Sequence, residues 1–326
     1  MGGVGHLIDS LSLWERARVR VRSLAQGISF FDRQPCSPTT HAVHSGIGAQ
    51  ALSPTLSQRE RGEKKSSPMN SFHEKRRRFY SPPAAFSPDE QTVSLSPDEA
   101  RHARGVLRLQ PGDEVHVFDG AGKEFRCAVR EFVRDGATLD VVEEVGPARP
   151  ESPLDLTLAV ALLKGEKFDL IVQKATELGA SRIVPVATSR ADVRIRNADD
   201  AQRKITRWQR IALEAAKQCG RARLLEIEGP VGFKALIDRP AEEGELRLMF
   251  AERNGTSLEE VQRNPLSGCP KVFALVGPEG GWADEEIELA REAGWKIITL
   301  GGRTLRAETA AIAIVALLQH RFGDLA

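Results

Sequence analysis

Two glycine-rich loops near the C-terminal end of the chain have the composition of a ligand-binding site. The first loop reads Gly-Pro-Glu-Gly-Gly over residues 277–281. The second loop reads Leu-Gly-Gly over residues 300–302 and continues as Leu-Arg-Ala-Glu-Thr over residues 305–309. Because glycine has no side chain, the backbone of such loops can approach a bound ligand closely.

Each loop follows a short apolar run and precedes a helical pattern, so residues 273–318 contain a strand–loop–helix unit twice. Open parallel sheets bind ligands at the loops that leave the C-terminal ends of their strands. We therefore expect the two loops to leave neighbouring strands and to form one pocket. The first loop lacks both the Gly-x-Gly-x-x-Gly pattern of dinucleotide-binding proteins and the Gly-Lys-Ser/Thr of a P-loop.

The elements that position the loops alternate between strand and helix patterns, which predicts a parallel α/β sheet. Residues 154–163 form a nearly continuous apolar run, as expected for a strand buried on both faces. Residues 168–178 and 207–218 have helical apolar spacing and end before Gly179 and Gly220, which suit helix C-caps. Further strands are predicted at residues 182–186, 246–251 and 272–276.

Residues 69–149 predict a smaller domain of short strands. Alternating apolar residues on both sides of a glycine turn at residues 119–122 indicate a β-hairpin, and residues 138–142 alternate in the same way. A short helix is predicted to begin after Ser96, an N-cap followed by proline. These elements predict a small β-barrel, which a proline-containing linker joins to the α/β domain at residues 153–326.

The smaller domain places cations beside aromatic side chains, since residues 75–80 read Lys-Arg-Arg-Arg-Phe-Tyr. This combination suits contacts with nucleic-acid phosphates and bases, and the alternative is a solvated basic turn. The predicted short helix adds further arginines. The candidate nucleic-acid contacts are Arg76, Arg77, Arg78, Arg101, Arg104 and Arg108.

Composition narrows the class of protein. The chain of 326 residues is 41% hydrophobic and 28% charged, as in globular proteins, and its formal net charge is +1. Four widely spaced cysteines predict neither a disulfide framework nor a zinc site, and they favour the reduced thiols of a cytoplasmic protein. No apolar run approaches the ~18 residues of a membrane span, and no cluster of ligating residues predicts a metal.

Residues 1–68 differ from the rest of the chain. They are rich in serine, glycine, arginine and glutamine and have no sustained apolar period, whereas Met69 opens a passage that reads as a normal protein start. We interpret residues 1–68 as the product of a wrongly chosen upstream start codon, and the alternative is a disordered extension. We assign this segment no function.

The two loops occur together with further motifs. These read Lys-Gly-Glu-Lys at 164–167, Gln-Lys-Ala-Thr-Glu-Leu-Gly at 173–179 and Glu-Ala-Ala-Lys-Gln-Cys-Gly-Arg at 214–221, with Arg-Arg-Phe-Tyr at 77–80 in the smaller domain. Over roughly residues 75–322, this set resembles the ribosomal RNA small subunit methyltransferase E family of the SPOUT class.

The resemblance implies a PUA-like N-terminal barrel, a C-terminal α/β sheet tied in a trefoil knot, and a homodimer with active sites at the subunit interface. It implies methylation of uridine N3 in 16S rRNA of the assembled small ribosomal subunit, with S-adenosylmethionine as the methyl donor. Two alternatives stay open. One is a catalytically inactive RNA-binding protein of the same fold, and the other is a SPOUT methyltransferase with a different RNA target.

On this resemblance, backbone groups of the two loops hold the cofactor, and leucine side chains contact its ring. The candidate cofactor-binding residues are Leu275, Gly277, Pro278, Glu279, Gly280, Gly281, Leu300, Gly301, Gly302, Leu305, Arg306, Thr309 and Ala310.

The reaction implied by the resemblance needs a cation, because uridine N3 becomes an anion when it loses its proton. Arg306 is the first candidate for this cation. Glu308 is a candidate to accept the proton or to orient Arg306, and the alternative is a helix N-terminal acid favoured by the helix dipole. Arg221 is the third catalytic candidate. Arg221, Gln218 and Lys164 are also candidates for holding the target base or its phosphate.

Overall fold

The computed structural model describes residues 76–191, 193–261 and 270–325, so the predictions about residues 1–68 and Met69 lie outside the described residues. The described residues form one compact unit, which contains two β-sheets. No described helix is both long enough and apolar enough to cross a bilayer.

The first sheet has five strands, which are β1 Arg78–Tyr80, β2 Thr92–Leu95, β3 Glu114–Phe118, β4 Glu124–Val133 and β5 Gly136–Val145. Their order is β1-β3-β4-β5-β2, and β1 pairs in parallel with β3 while the other pairs are antiparallel. The predicted hairpin is confirmed as β3–β4. Asp119 Oδ1 closes its turn by accepting hydrogen bonds from the backbone N–H groups of Ala121 and Gly122.

A short helix, α1 Pro97–Arg101, follows β2 and continues as a π-helical turn, His102–Val106. Ser96 caps α1, because its hydroxyl oxygen accepts a hydrogen bond of 3.3 Å from the backbone N–H of Glu99. Pro97 occupies the first helical position, where its missing N–H costs no helical hydrogen bond. The sequence-based prediction of this helix start is therefore confirmed.

The second sheet is parallel throughout, as predicted, and contains seven strands in the order β12-β10-β11-β6-β7-β8, with β9 also pairing with β7. The central strand β6 is buried along its whole length after Asp155. The strands are β6 Asp155–Ala161, β7 Arg182–Ala187, β8 Glu226–Ile227, β9 Val231–Gly232, β10 Glu245–Phe250, β11 Lys271–Val276 and β12 Lys296–Ile298.

Helices cover both faces of this sheet, which gives two hydrophobic cores. The helices are α2 Lys167–Glu177, α3 Ala198–Cys219, α4 Phe233–Ile237, α5 Asp284–Glu292 and α6 Ala307–Phe322. Helices α2, α3 and α6 pack on one face, and α4 and α5 pack on the other. Helix α3 begins nine residues before the predicted start at Arg207, because Asn197 caps it and its first turns are too polar to show an apolar period.

A buried ion pair joins the first sheet to the C-terminal end of α3. Arg78 Nη2 donates a hydrogen bond of 3.0 Å to Glu124 Oε2, and the two side chains are 6% and 0% exposed. Arg78 also donates to the backbone carbonyl oxygens of Ala216 at 3.2 Å and Arg221 at 2.9 Å. Carbonyl oxygens at a helix C-terminus carry partial negative charge, so they stabilise the cation further.

We predict that Glu124→Gln lowers the free energy of unfolding by about 3–5 kcal/mol, since Arg78 then stays buried without a carboxylate. Burial raises the pKa of Glu124, but the hydrogen bonds and charge of Arg78 and the N–H of Ala148 outweigh it, so the pKa is lowered on folding. The stability that ionised Glu124 contributes is therefore fully present above the pKa that this carboxyl has in the unfolded state. It is lost as the pH falls through the lower pKa of the carboxyl in the folded state. Urea unfolding at several pH values measures it.

The control for this prediction is Asp98→Asn, which removes the exposed ion pair between Asp98 and Arg101. Exposed pairs contribute little, so its unfolding curve should match that of the wild type. The difference between wild type and Glu124→Gln should shrink on acidification. A difference that is absent at neutral pH would contradict a stabilising role for the buried pair.

Candidate active site

Loops after three strands of the second sheet enclose a cavity of about 610 Å³. The first loop leaves β11 and the second loop leaves β12, as expected. The expectation that these strands are neighbours is wrong, because β10 lies between them and pairs with both. The residues that follow β10, Ala251 and Glu252, therefore complete the cavity. Sequence reasoning identified this strand but did not bring its end to the pocket.

The first loop is held in place by Trp282, which is 1% exposed. Its indole N–H donates a hydrogen bond of 2.9 Å to the backbone carbonyl oxygen of Phe250, at the end of β10. A Cβ at Gly277 would lie 2.8 Å from the Trp282 indole nitrogen, and a Cβ at Gly281, where φ is +67°, would lie 2.5 Å from Glu252 Oε1. Glycine is therefore required at position 277 by close approach to the buried indole, and at position 281 by its positive φ, since the Glu252 carboxylate is the end of a flexible side chain.

The second loop ends at Arg306, which is the N-cap residue of α6 and makes no side-chain capping hydrogen bond. The backbone N–H groups of the first helical turn consequently remain available. Three residues on one face of α6, Ala307, Ala310 and Ile314, line the cavity. The exposed Arg306 guanidinium and a helix N-terminus thus meet at the same wall.

Lys167, at the start of α2, links the two loops and was missed by sequence reasoning. Its ammonium donates a hydrogen bond of 2.7 Å to Glu279 Oε1 and lies 3.9 Å from Glu308 Oε2. This oxygen of Glu308 is buried and makes no hydrogen bond to a described residue. The hydrogen bond to Glu279 raises the pKa of Lys167, so the ammonium is charged at neutral pH. The motif at residues 164–167 contains both Lys164 and Lys167, and its spacing alone does not distinguish them.

The structure brings most of the predicted cofactor-binding residues to the cavity wall, namely Gly277, Pro278, Glu279, Gly280, Gly281, Leu300, Gly301, Gly302, Leu305, Arg306 and Ala310. It does not bring Leu275 or Thr309 there. Side chains alternate along β11, so Leu275 is fully buried in the core on the α4–α5 face. Thr309 is exposed and lies off the face of α6 that lines the cavity.

Arg221 lies away from the cavity and is 6% exposed. Its guanidinium donates to Glu151 Oε2 and to the backbone carbonyl oxygens of Thr176 and Ala180, each at 2.9 Å. A guanidinium with these buried partners is not accessible to a base or a phosphate. We therefore replace its predicted catalytic and base-holding roles with a structural role, fixing the linker against α2 and α3.

The remaining predicted RNA contacts differ in accessibility. Arg78 is enclosed in the buried ion pair described above, and Arg76 donates to Glu124 Oε1 at 3.0 Å. Arg78 is therefore structural in the same way as Arg221. The exposed members of the set are Arg77, Arg101, Arg104, Arg108, Lys164 and Gln218.

Sequence comparison defines the class to which this fold and cavity belong. Residues 150–319 match the model of an RNA methyltransferase domain, and residues 95–141 match the model of an RNA methyltransferase PUA domain. The α/β sheet is thus the methyltransferase domain of an RNA methyltransferase, and the five-stranded sheet belongs to its PUA domain.

Individual relatives define the family. Ribosomal RNA small subunit methyltransferase E of Synechocystis is 35% identical over 70% of this chain and 72% of its own length, and that of Bacillus subtilis is 30% identical over 71% and 90%. The chain belongs to the ribosomal RNA small subunit methyltransferase E family, which confirms the resemblance seen in its motifs.

Solved structures agree with this assignment. A crystal structure of ribosomal RNA small subunit methyltransferase E from Neisseria gonorrhoeae, bound to S-adenosyl methionine, matches with a TM-score of 0.67 at 32% identity, covering 77% of this chain and 100% of that one. A methyltransferase from Legionella pneumophila, in complex with the cofactor SAM, matches with a TM-score of 0.68 at 33% identity, covering 76% and 98%.

We predict different effects for two glycines that line the cavity. Gly277→Ala should lower thermal stability without any ligand, because its Cβ would collide with Trp282. Gly301→Ala should leave thermal stability unchanged, since a Cβ there meets no atom within 4 Å. Because Gly301 lines the cavity, this variant should bind S-adenosylmethionine more weakly in calorimetry. Equal thermal stability of Gly277→Ala and wild type would contradict the role assigned to Trp282.

Proposed function

We propose that the protein transfers a methyl group from S-adenosylmethionine to N3 of a uridine in 16S rRNA of the assembled small ribosomal subunit. The observation that carries this proposal is the cavity lined by both glycine loops and Arg306, with Lys167 paired to Glu279 of the first loop, in a chain of this family. A PUA domain with exposed arginines supports RNA as the acceptor.

The residues around the cavity fit this cofactor. Its volume of about 610 Å³ lies within the range typical of small-molecule sites. Val276, Leu300 and Ile314 supply apolar contacts for a ring, and the glycine backbones supply hydrogen-bonding groups beside them. The carboxylates of Glu252 and Glu279 also line the cavity, and each is already paired with a cation, Arg253 and Lys167 respectively. When bound, S-adenosylmethionine provides an electrophilic methyl group on its sulfonium.

The protein has two groups suited to activate uridine N3. Glu308, two residues after Arg306 at the start of α6, accepts the N3 proton once its carboxylate turns toward the cavity, since its Oε2 is buried in the single chain without a hydrogen-bond partner among the described residues. N3 then uses its electron pair to form the bond to the methyl carbon, as the sulfonium–methyl bond breaks. Arg306 stabilises the negative charge that spreads onto the uracil oxygens. The other role of Glu308, as an N-terminal acid of α6, is compatible with the same position.

The homodimer, the trefoil knot and the cytoplasmic location belong to the same proposal. Residues 301–306, at the edge of the cavity, are all exposed in the single chain. A second copy would therefore find an accessible surface beside the active site. The domain limits at residues 69–149 and 153–326 also stay a prediction, which the separation of the two sheets supports.

The test is methyl transfer from radiolabelled S-adenosylmethionine to small subunits that lack this modification, followed by nucleoside mass analysis of the 16S rRNA. We expect 3-methyluridine. A methylated product at another position would favour a methyltransferase with a different target. RNA binding with neither cofactor binding nor transfer would favour the inactive RNA-binding protein.

The variant Arg306→Ala should lower the transfer rate by about 10²-fold or more and lower cofactor affinity much less.

We predict that Lys167→Met lowers the transfer rate by about 10²-fold, because both loops lose the cation that positions their carboxylates. Lys167→Arg should restore part of this rate, since it keeps the charge. The rate and the cofactor dissociation constant are measured separately, together with thermal stability.

The matched control is Lys174→Met on the same helix. Lys174 is also ion-paired, with Glu177, and its side chain is 35% exposed against 34% for Lys167. Its loss should leave transfer unchanged, because its ion-pair partner Glu177 belongs to neither glycine loop. Equal effects of the two substitutions would refute the positioning role of Lys167.

A further inference from the structure

Two apolar side chains stand exposed on the turn that follows α1. Val106 is 67% exposed and Leu107 is 40% exposed, whereas Ala103 and Leu109 on either side are buried in the core of the PUA domain. We call Val106 and Leu107 the apolar tip. Burial of the flanking residues fixes both ends of the turn, so the exposure of the tip is a feature of its folded conformation.

Hydrogen bonds also order the backbone of the turn. The N–H of Leu107 donates to the carbonyl oxygen of His102 at 3.1 Å, and the N–H of Leu109 donates to that of Ala103 at 3.1 Å. The first of these bonds closes a π-helical turn, and Arg108 has a φ of +56°. A π-helical turn and a positive φ at a residue other than glycine are both uncommon and cost free energy. Both are enriched at functional sites. The turn thus holds the tip outward at some cost to stability.

The surroundings of the apolar tip are cationic. Arg104 and Arg108 flank it, both are exposed, and neither forms an ion pair with a described residue. Residues 101–110 include three arginines and no acidic residue. An apolar pair within such a segment is complementary to a polyanion that also offers apolar faces, and RNA with unstacked bases has both properties.

We propose that the apolar tip contacts bases of the rRNA substrate while Arg104 and Arg108 bind the phosphates on either side. Apolar side chains inserted between bases partly replace the stacking that is lost when a nucleic acid is distorted. The tip lies within residues 95–141, the segment that matches the PUA domain of RNA methyltransferases. The proposal rests on the proposed function, because it takes rRNA as the partner.

The test compares the double variant Val106→Ser/Leu107→Ser with wild type in the full chain. Affinity for unmodified small ribosomal subunits is measured by filter binding over a series of salt concentrations. We expect the double variant to bind about tenfold more weakly, the scale of one lost base contact, with an unchanged salt dependence. Arg104→Gln should instead reduce the slope of log affinity against log salt by about 1.

The matched control is Val142→Ser, which replaces a valine of the same domain that is 50% exposed on β5 and is followed by Glu143 and Glu144. It should bind as the wild type does. Wild-type affinity of the double variant would overturn the proposal. So would a double variant that changes the oligomeric state in sedimentation, because the tip would then belong to an interface between copies of the chain.

The same preparation separates this proposal from the proposed function. Methyl transfer by the wild type to the same subunits tests the function alone. If the wild type binds but does not methylate them, the function fails, and weaker binding by the double variant still supports the apolar tip. Thermal unfolding of every variant should match that of the wild type, since all the replaced side chains are exposed.

Discussion

The parallel pairing of β10 with both β11 and β12 is the constraint on which the active site depends. In this register Phe250 pairs with Val276 on one side and with Ile298 on the other. Three strands therefore end in one row, and three loops begin side by side. The hydrogen bond from the Trp282 indole to Phe250 then holds the first loop over the end of the middle strand. The alignment of the strand ends is therefore sufficient to form the cavity, and the charges of the side chains are a separate feature of the site.

A second constraint fixes the PUA domain against the methyltransferase domain through α3. Arg78 binds Glu124 and backbone carbonyl oxygens at the end of this helix. Lys217 of α3 also pairs with Glu99 of α1 at 2.8 Å, and both side chains are largely buried. The turn that bears the apolar tip continues directly from α1. Its position relative to the methyltransferase domain is therefore set by ion pairs, so a contact with RNA there would be in a fixed relation to the cavity.

Local patterns predicted the elements well, because caps, turns and apolar periods are encoded within a few residues. The Ser96 cap and the β3–β4 hairpin are examples. The order of strands was not predictable in this way, since nothing in the apolar run of β10 states that it lies between β11 and β12. The same limit applied to Lys167, because the spacing of its motif does not indicate which lysine contacts the first loop.

Burial distinguishes the arginines that stabilise the fold from the arginines that are able to bind RNA. This difference cannot be read from the sequence. Arg78 and Arg221 lie in basic motifs, yet each is enclosed by a carboxylate and by carbonyl oxygens. A buried cation without such partners would be strongly destabilising. Arg104 and Arg108 are exposed and form no ion pair with the described part of the chain. Because phosphate binding requires an accessible cation, the electrostatic affinity proposed for RNA comes from exposed cations such as these.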